Sequence, residues 1–184
     1  MIDTTDNRQL AYIRFFCGVN KNTVGRLKDA MEKKLTKGIK RFVLSMCTTG
    51  GDWDPAFEAY EYLKKTGAEV ITHNHHYVGS AAIIIFCAGR QRTCVRKGQF
   101  KFHPVLIRKE GRPFVVQEVV DKYNRCIARV IADSCGQDEN VALLAIEQSL
   151  QLDSENALDF GLVHKIQDTL GTKRTREVQI EDGF

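Results

Sequence analysis

The run Gly79-Ser80-Ala81-Ala82-Ile83-Ile84-Ile85-Phe86-Cys87-Ala88 is apolar throughout apart from Ser80. As a helix it has no face to offer water, so it must lie inside the molecule with other layers packed round it. Gly89 gives it a natural stop. The run falls well short of the ~20 residues that span a bilayer, so it belongs to a core rather than a membrane. A chain of 184 residues is enough to enclose such a helix in one domain.

What surrounds it reads as alternating strands and helices. Leu10–Cys17 is an apolar and aromatic strand, and Phe42–Cys47 is a second. Between them, Thr23–Lys37 places Val24, Leu27, Met31 and Leu35 on one helical stripe, with Asn22 or Thr23 as its cap. Asp54–Thr66 is the next helix, with Pro55 in its first turn and Phe57, Tyr60 and Leu63 inside. Ala68–Tyr77 is a third strand. Strand, helix, strand with short turns predicts parallel crossovers and an α/β fold. Further on, Arg92–Val95 and Gln99–Phe102 read as a hairpin across Lys97-Gly98, and 105–113 as a polar excursion. The longest helix runs from Phe114 to Ser134 with Val116, Val119, Tyr123, Ile127 and Val130 on one face. Asn140 to Gln148 is a short helix, and Asp153 caps another that ends near Phe160-Gly161. Residues 1–9 and 168–184 are polar or charged and read as loose ends.

Charge and cysteine usage narrow the function classes. The formal net charge is only +4, with the basic residues dispersed, so nothing points to nucleic acid. The lysines of 23–37 read as a solvated face rather than a phosphate site. No export signal opens the chain and the six cysteines form no C-x-x-C pair, so reduced thiols in a cytoplasm are expected, and no membrane contact. His73, His75 and His76 raise the question of a metal. They have no nearby acidic or cysteine partner, and polar packing beside a cleft is the better reading.

Three pieces between Phe42 and His103 carry chemistry. Thr48-Thr49-Gly50-Gly51 follows a strand, and a glycine pair there lets the backbone turn sharply and aim an N–H outward. Ser80 opens the buried helix, where backbone N–H groups lack partners. His103 ends a strand in Phe100-Lys101-Phe102-His103-Pro104. A tight turn, a helix cap and a hydrogen-bonded histidine would each explain one piece. Together they compose a nucleophile, a base and an oxyanion site, the parts acyl transfer needs at one point.

The ordered set resembles the Clp peptidase family over roughly residues 10–167. The turn Thr48-Thr49-Gly50-Gly51 stands where the family has Ser-Pro-Gly-Gly, and Val78-Gly79-Ser80-Ala81-Ala82 matches its nucleophile segment without a gap from Gly51. Phe102-His103-Pro104 falls on its histidine, and Ser154 to Val163 is similar to its helix followed by Tyr-Gly-Leu-Ile. The resemblance implies one domain with a ClpP/crotonase-like β/α spiral and a protruding handle helix within 105–135. It implies Ser80 as nucleophile, His103 as general base, and the amides of Gly51 and Ala81 as oxyanion donors. It implies no cofactor and no metal. Peptides or unfolded proteins would be the substrate, in a homo-oligomeric heptameric ring that the family stacks in pairs. An AAA+ unfoldase is the family's partner, but few residues precede Leu10 to build the loop that meets it.

The chain departs from the family at the third member of the triad. Ser149, within Gln148-Ser149-Leu150-Gln151, stands where the family has an aspartate. A serine can accept the imidazole N–H without supplying charge. Asp153 is the alternative acceptor nearby, and Glu147 a weaker one. This departure keeps a catalytically silent ring subunit as a second reading. A third is a crotonase-type acyl-CoA enzyme, whose paired amides polarise a thioester; it predicts coenzyme A binding and no need for Ser80.

Overall fold

A computed structural model describes residues 10–106, 108–109, 112–113, 117–169 and 178–181. Its order of elements follows from two hydrophobic periods, near two residues for strands and 3.6 for helices. Strand β1 (Leu10–Phe16) leads to helix α1 (Lys21–Leu35), β2 (Arg41–Thr48), α2 (Trp53–Lys65) and β3 (Glu69–Gly79). Strands β1, β2 and β3 are parallel neighbours, with Ile13, Leu44 and Thr72 in one row of the sheet. These are the parallel crossovers the sequence predicted. The helix side of these strands, including Ile13, Phe15, Phe42, Leu44 and Met46, joins the main core with α1 and α2. Leu10, Tyr12, Val43 and Ile71 form a small separate cluster.

Helix α1 starts earlier than expected. Its cap is Asn20, in a reciprocal box with Thr23, so that each side chain satisfies the other's backbone N–H at 3.0 Å. Thr23 is therefore inside the first turn rather than at its edge. Helix α3 (Ala82–Cys87) is buried along its whole length, as its sequence requires. It is shorter than the apolar run because β3 continues through Gly79. Each fully buried Ile or Phe in it contributes roughly 1.5–3 kcal/mol.

The expected hairpin is absent. Strand β4 (Gln91–Cys94) and β5 (Gln99–Lys101) both pair in parallel with β3, β4 along Ile71–Asn74 and β5 along Tyr77–Gly79. The long β3 offers one edge to two successive short strands, and the turn at Lys97-Gly98 steps the chain along that edge instead of reversing it. The excursion after β5 contains β6 (Arg108–Lys109) antiparallel to β7 (Arg112–Pro113). Helix α4 (Gln117–Cys135) follows; the residues expected before it, 114–116, lie outside the described part. Its buried face is Val120, Asn124, Ile127, Ala128, Ile131 and Ala132, rotated from the stripe expected through Val119. The rotation has a polar cause: Asn124 Oδ1 accepts from the Val105 amide at 3.0 Å, which draws that face inward.

Helix α5 (Glu139–Glu147), β8 (Gln151–Leu152), α6 (Ser154–Asp159) and β9 (Lys165–Ile166) complete this half. Strand β8 runs antiparallel to β5, and β9 adds to β4. The charged tail holds one surprise. Val178–Glu181 forms β10, parallel to β1 at the sheet's edge, with Ile180 fully buried. The sheet thus runs β10-β1-β2-β3-β4-β9, with β5 and β8 continuing from β3. The loose-end expectation for 1–9, 170–177 and 182–184 lies outside the described residues. Among those described, no helix is long and apolar enough to cross a membrane.

Candidate active site

Ser80 sits on a sharp elbow between β3 and α3. Its φ is +55°, a left-handed conformation that a non-glycine residue adopts only when its surroundings impose it. Three contacts impose it. The Ser80 N–H donates to the Lys101 carbonyl at the end of β5 (2.8 Å), and its own carbonyl accepts from Ile83 (3.0 Å). The third is Gly50, so close that a Cβ there would lie 2.5 Å from Ser80 Cβ and 2.7 Å from the Gly79 carbonyl. The expectation that Ser80 occupies the helix's first turn is therefore corrected. It precedes the helix, held between two chain ends.

The glycine turn is equally constrained. Gly50 has φ +104° and Gly51 φ +151°. Gly51 makes a parallel bridge with Val19: the Val19 N–H donates to the Gly50 carbonyl (2.8 Å) and the Asp52 N–H to the Val19 carbonyl (2.7 Å). Backbone groups alternate sides along extended chain, so the Gly51 N–H is directed away from Val19. The Gly50 N–H is already taken by Thr48 Oγ1 at 3.1 Å. Among the described residues, nothing accepts from the amides of Gly51 or Ala81.

Ser80, Gly50, Gly51 and His103 line one open cleft of about 900 Å³. Ser80 is 7% exposed, and its Oγ makes no hydrogen bond with the described residues. His103 is half-buried, and its Nδ1 lies 2.7 Å from the Pro104 carbonyl. A carbonyl only accepts, so Nδ1 carries a proton; in the neutral ring that tautomer leaves the Nε2 lone pair for a general base. No hydrogen bond joins His103 to Ser80.

The two other sequence candidates are placed differently. Asp153 Oδ1 accepts from the Asn156 amide at 2.9 Å as the cap of α6. Ser149 follows Gln148, the C-cap of α5, with φ +53°, and the Phe102 N–H donates to the Leu150 carbonyl (2.9 Å). That bond sets Ser149 at the same end of the β5–β8 ladder as His103. Neither side chain hydrogen-bonds His103. Of the other histidines, His73 is buried with Nδ1 2.9 Å from Thr93 Oγ1, while His75 and His76 are exposed.

Sequence reasoning gave no functional part to much of the remaining cleft wall, which includes Asp52, Trp53, Asp54, Val105, Leu106, Val119 and Tyr123. The signal available was adjacency, since Asp52-Trp53-Asp54 follows the glycine pair directly. An aspartate before a helix reads as a cap. Asp52 is the N-cap of α2, yet its side chain makes no capping bond. Tyr123 Oη donates to Asp54 Oδ1 at 3.3 Å, linking α4 to the start of α2.

An elbow serine beside unengaged amides and an imidazole whose Nδ1 is held by a carbonyl, on a mainly parallel α/β sheet, is a hydrolase-type arrangement. Residues 31–169 match the Clp protease family, and the chain belongs to that family. Membership supports a peptidase-type function. The fold is that of ClpP1 from Listeria monocytogenes, at 16% identity over 89% of this chain and 93% of that one, with a TM-score of 0.76. An asparagine-to-aspartate mutant of the same ClpP1 gives 17% identity, coverage of 92% and 98%, and a TM-score of 0.78. A serine-to-alanine mutant of the 1510-N membrane-bound stomatin-specific protease gives 13% identity, coverage of 88% and 80%, and a TM-score of 0.75. No curated protein matches the sequence. The expected ClpP/crotonase-like architecture is met.

Proposed function

We propose that the protein is a serine peptidase that hydrolyses peptide bonds through a Ser80–His103 dyad. The observation that carries this reading is the strained, buried Ser80 elbow, packed on Gly50 and opening onto the same cleft as His103. His103 Nε2 takes the Ser80 Oγ proton as Oγ attacks the carbonyl carbon and returns it to the leaving amine; water, deprotonated by the same nitrogen, then attacks the acyl ester, and Oγ leaves with that proton as the acid product departs. The oxyanion forms between the amides of Gly51 and Ala81, each worth about 3 kcal/mol in transition-state stabilisation. The Pro104 carbonyl holds the Nδ1 proton where other serine peptidases use a carboxylate, with Ser149 and Asp153 as the side chains to test for that role. Without a charged partner, turnover is slow.

The resemblance to the Clp family extends the proposal to a homo-oligomeric ring that encloses the cleft and takes up unfolded polypeptide, in the cytoplasm. Sedimentation velocity tests that part: a ring sediments as a multiple of 20.9 kDa. The chemistry is tested by a fluorophosphonate probe with peptide mapping. Labelling of Ser80 that is lost in both Ser80→Ala and His103→Ala supports the dyad. A wild-type protein that assembles yet stays unlabelled is a silent ring subunit instead.

A further inference from the structure

The cleft has a charge of its own. Among the described residues its wall contains two aspartates, Asp52 and Asp54, and no lysine or arginine, although the chain as a whole is +4. Both carboxylates are exposed and neither forms a salt bridge among the described residues. Asp52 is not spent on capping α2, and Asp54 receives only the Tyr123 hydroxyl. They follow Gly51 by one and three residues, so they stand beside the amide that would hold the oxyanion. Between them, Trp53 lines the same wall, and an aromatic face attracts cations. Opening into this space is the unpartnered Oγ of the buried Ser80.

From this juxtaposition we infer that the cleft selects polypeptides with a lysine or arginine next to the bond to be cut. The inference rests on the peptidase reading and adds the substrate class. Two carboxylates, with no competing lysine or arginine among the described lining residues, attract a basic side chain and repel an acidic one, and the aliphatic walls at Val105 and Val119 accommodate its methylene stem. Exposed charge pairs are individually modest, so a pair of them gives about a three- to tenfold preference in kcat/KM, which salt weakens.

The experiment uses matched fluorogenic peptides with Arg, Leu or Glu on the acyl side of the scissile bond, at low and high salt. The expected order is Arg above Leu above Glu, compressed at high salt. In Asp52→Asn/Asp54→Asn the Arg-to-Leu ratio falls to near one, and in Asp54→Lys it inverts. A second readout needs no turnover. Trp53 is the chain's one tryptophan, so its fluorescence in Ser80→Ala reports peptide binding in the cleft. There the Arg peptide binds tighter than the Glu peptide, and the difference vanishes in the double Asn variant. Hydrolysis without an Arg preference overturns the inference and leaves the peptidase intact. Charge-ordered binding with no hydrolysis and no probe labelling keeps the cation selectivity and removes the peptidase. Equal binding of both peptides removes the inference in either case.

Discussion

At the scale of single residues, the site is built by glycines that leave no room for an added Cβ. Gly50→Ala puts a Cβ 2.5 Å from Ser80 Cβ at φ +104°, so either Ser80 shifts or the turn opens. The backbone strain costs roughly 1–3 kcal/mol, and displacement of the nucleophile by about 1 Å costs on the order of a hundredfold in rate. The expected outcome is a folded protein with fluorophosphonate labelling slowed about a hundredfold, read by the rate of label incorporation alongside circular dichroism. Ser149→Ala tests the other side of the dyad. If the Pro104 carbonyl keeps the Nδ1 proton in place, kcat/KM changes by less than about tenfold, well short of the 10⁴-fold that loss of a triad carboxylate costs. A collapse of activity would instead make Ser149 the residue that orients His103.

At the scale of elements, one buried side chain joins several chain ends. Arg92 on β4 is 5% exposed, and its guanidinium donates to the carbonyls of Gly89, Ser134, Gly161 and Leu162. These lie just past α3, at the end of α4 and just past α6, where helices leave carbonyls without intrahelical partners. One planar cation with five donors satisfies them together. Arg92→Met keeps the bulk and strands those carbonyls, at a cost of roughly 3 kcal/mol. The midpoint of urea denaturation should fall accordingly at unchanged m-value. Arg92→Lys should recover only part of the loss, because an ammonium cannot span the same fork. If Arg92→Met unfolds at the wild-type midpoint, the guanidinium is not what holds these ends.

At the scale of the whole molecule, the order of strands and helices was legible because each crossover is written in local periodicity. What was not legible depends on distant pairing. Val178–Glu181 is four residues in a charged tail and becomes a strand only because β1 has an open edge. The pairing of β4 and β5 with one long β3 has no local signature either. The site divides the same way: Ser80 and Gly51 stand out in sequence, while the partner of His103 is a backbone carbonyl that any residue would supply. The buried His73 shows what such non-local burial does to the stability of the whole fold. Burial, helped by the nearby His75 and opposed by Asp168, holds its pKa down from 6.5 to about 4. The unfolded chain takes up this proton near 6.5 and the folded one only near 4, so between those values the unfolded state binds more protons. Stability from this group is therefore fully present above pH 6.5 and is lost as the pH falls toward 4, by about 3 kcal/mol in all. Urea midpoints measured from pH 7.5 down to 4.5 should decline through that window. In His73→Asn, which keeps a polar partner for Thr93 but cannot take a proton, the decline should shrink by most of that amount. A variant that declines as steeply as the wild type would locate the acid sensitivity in other groups.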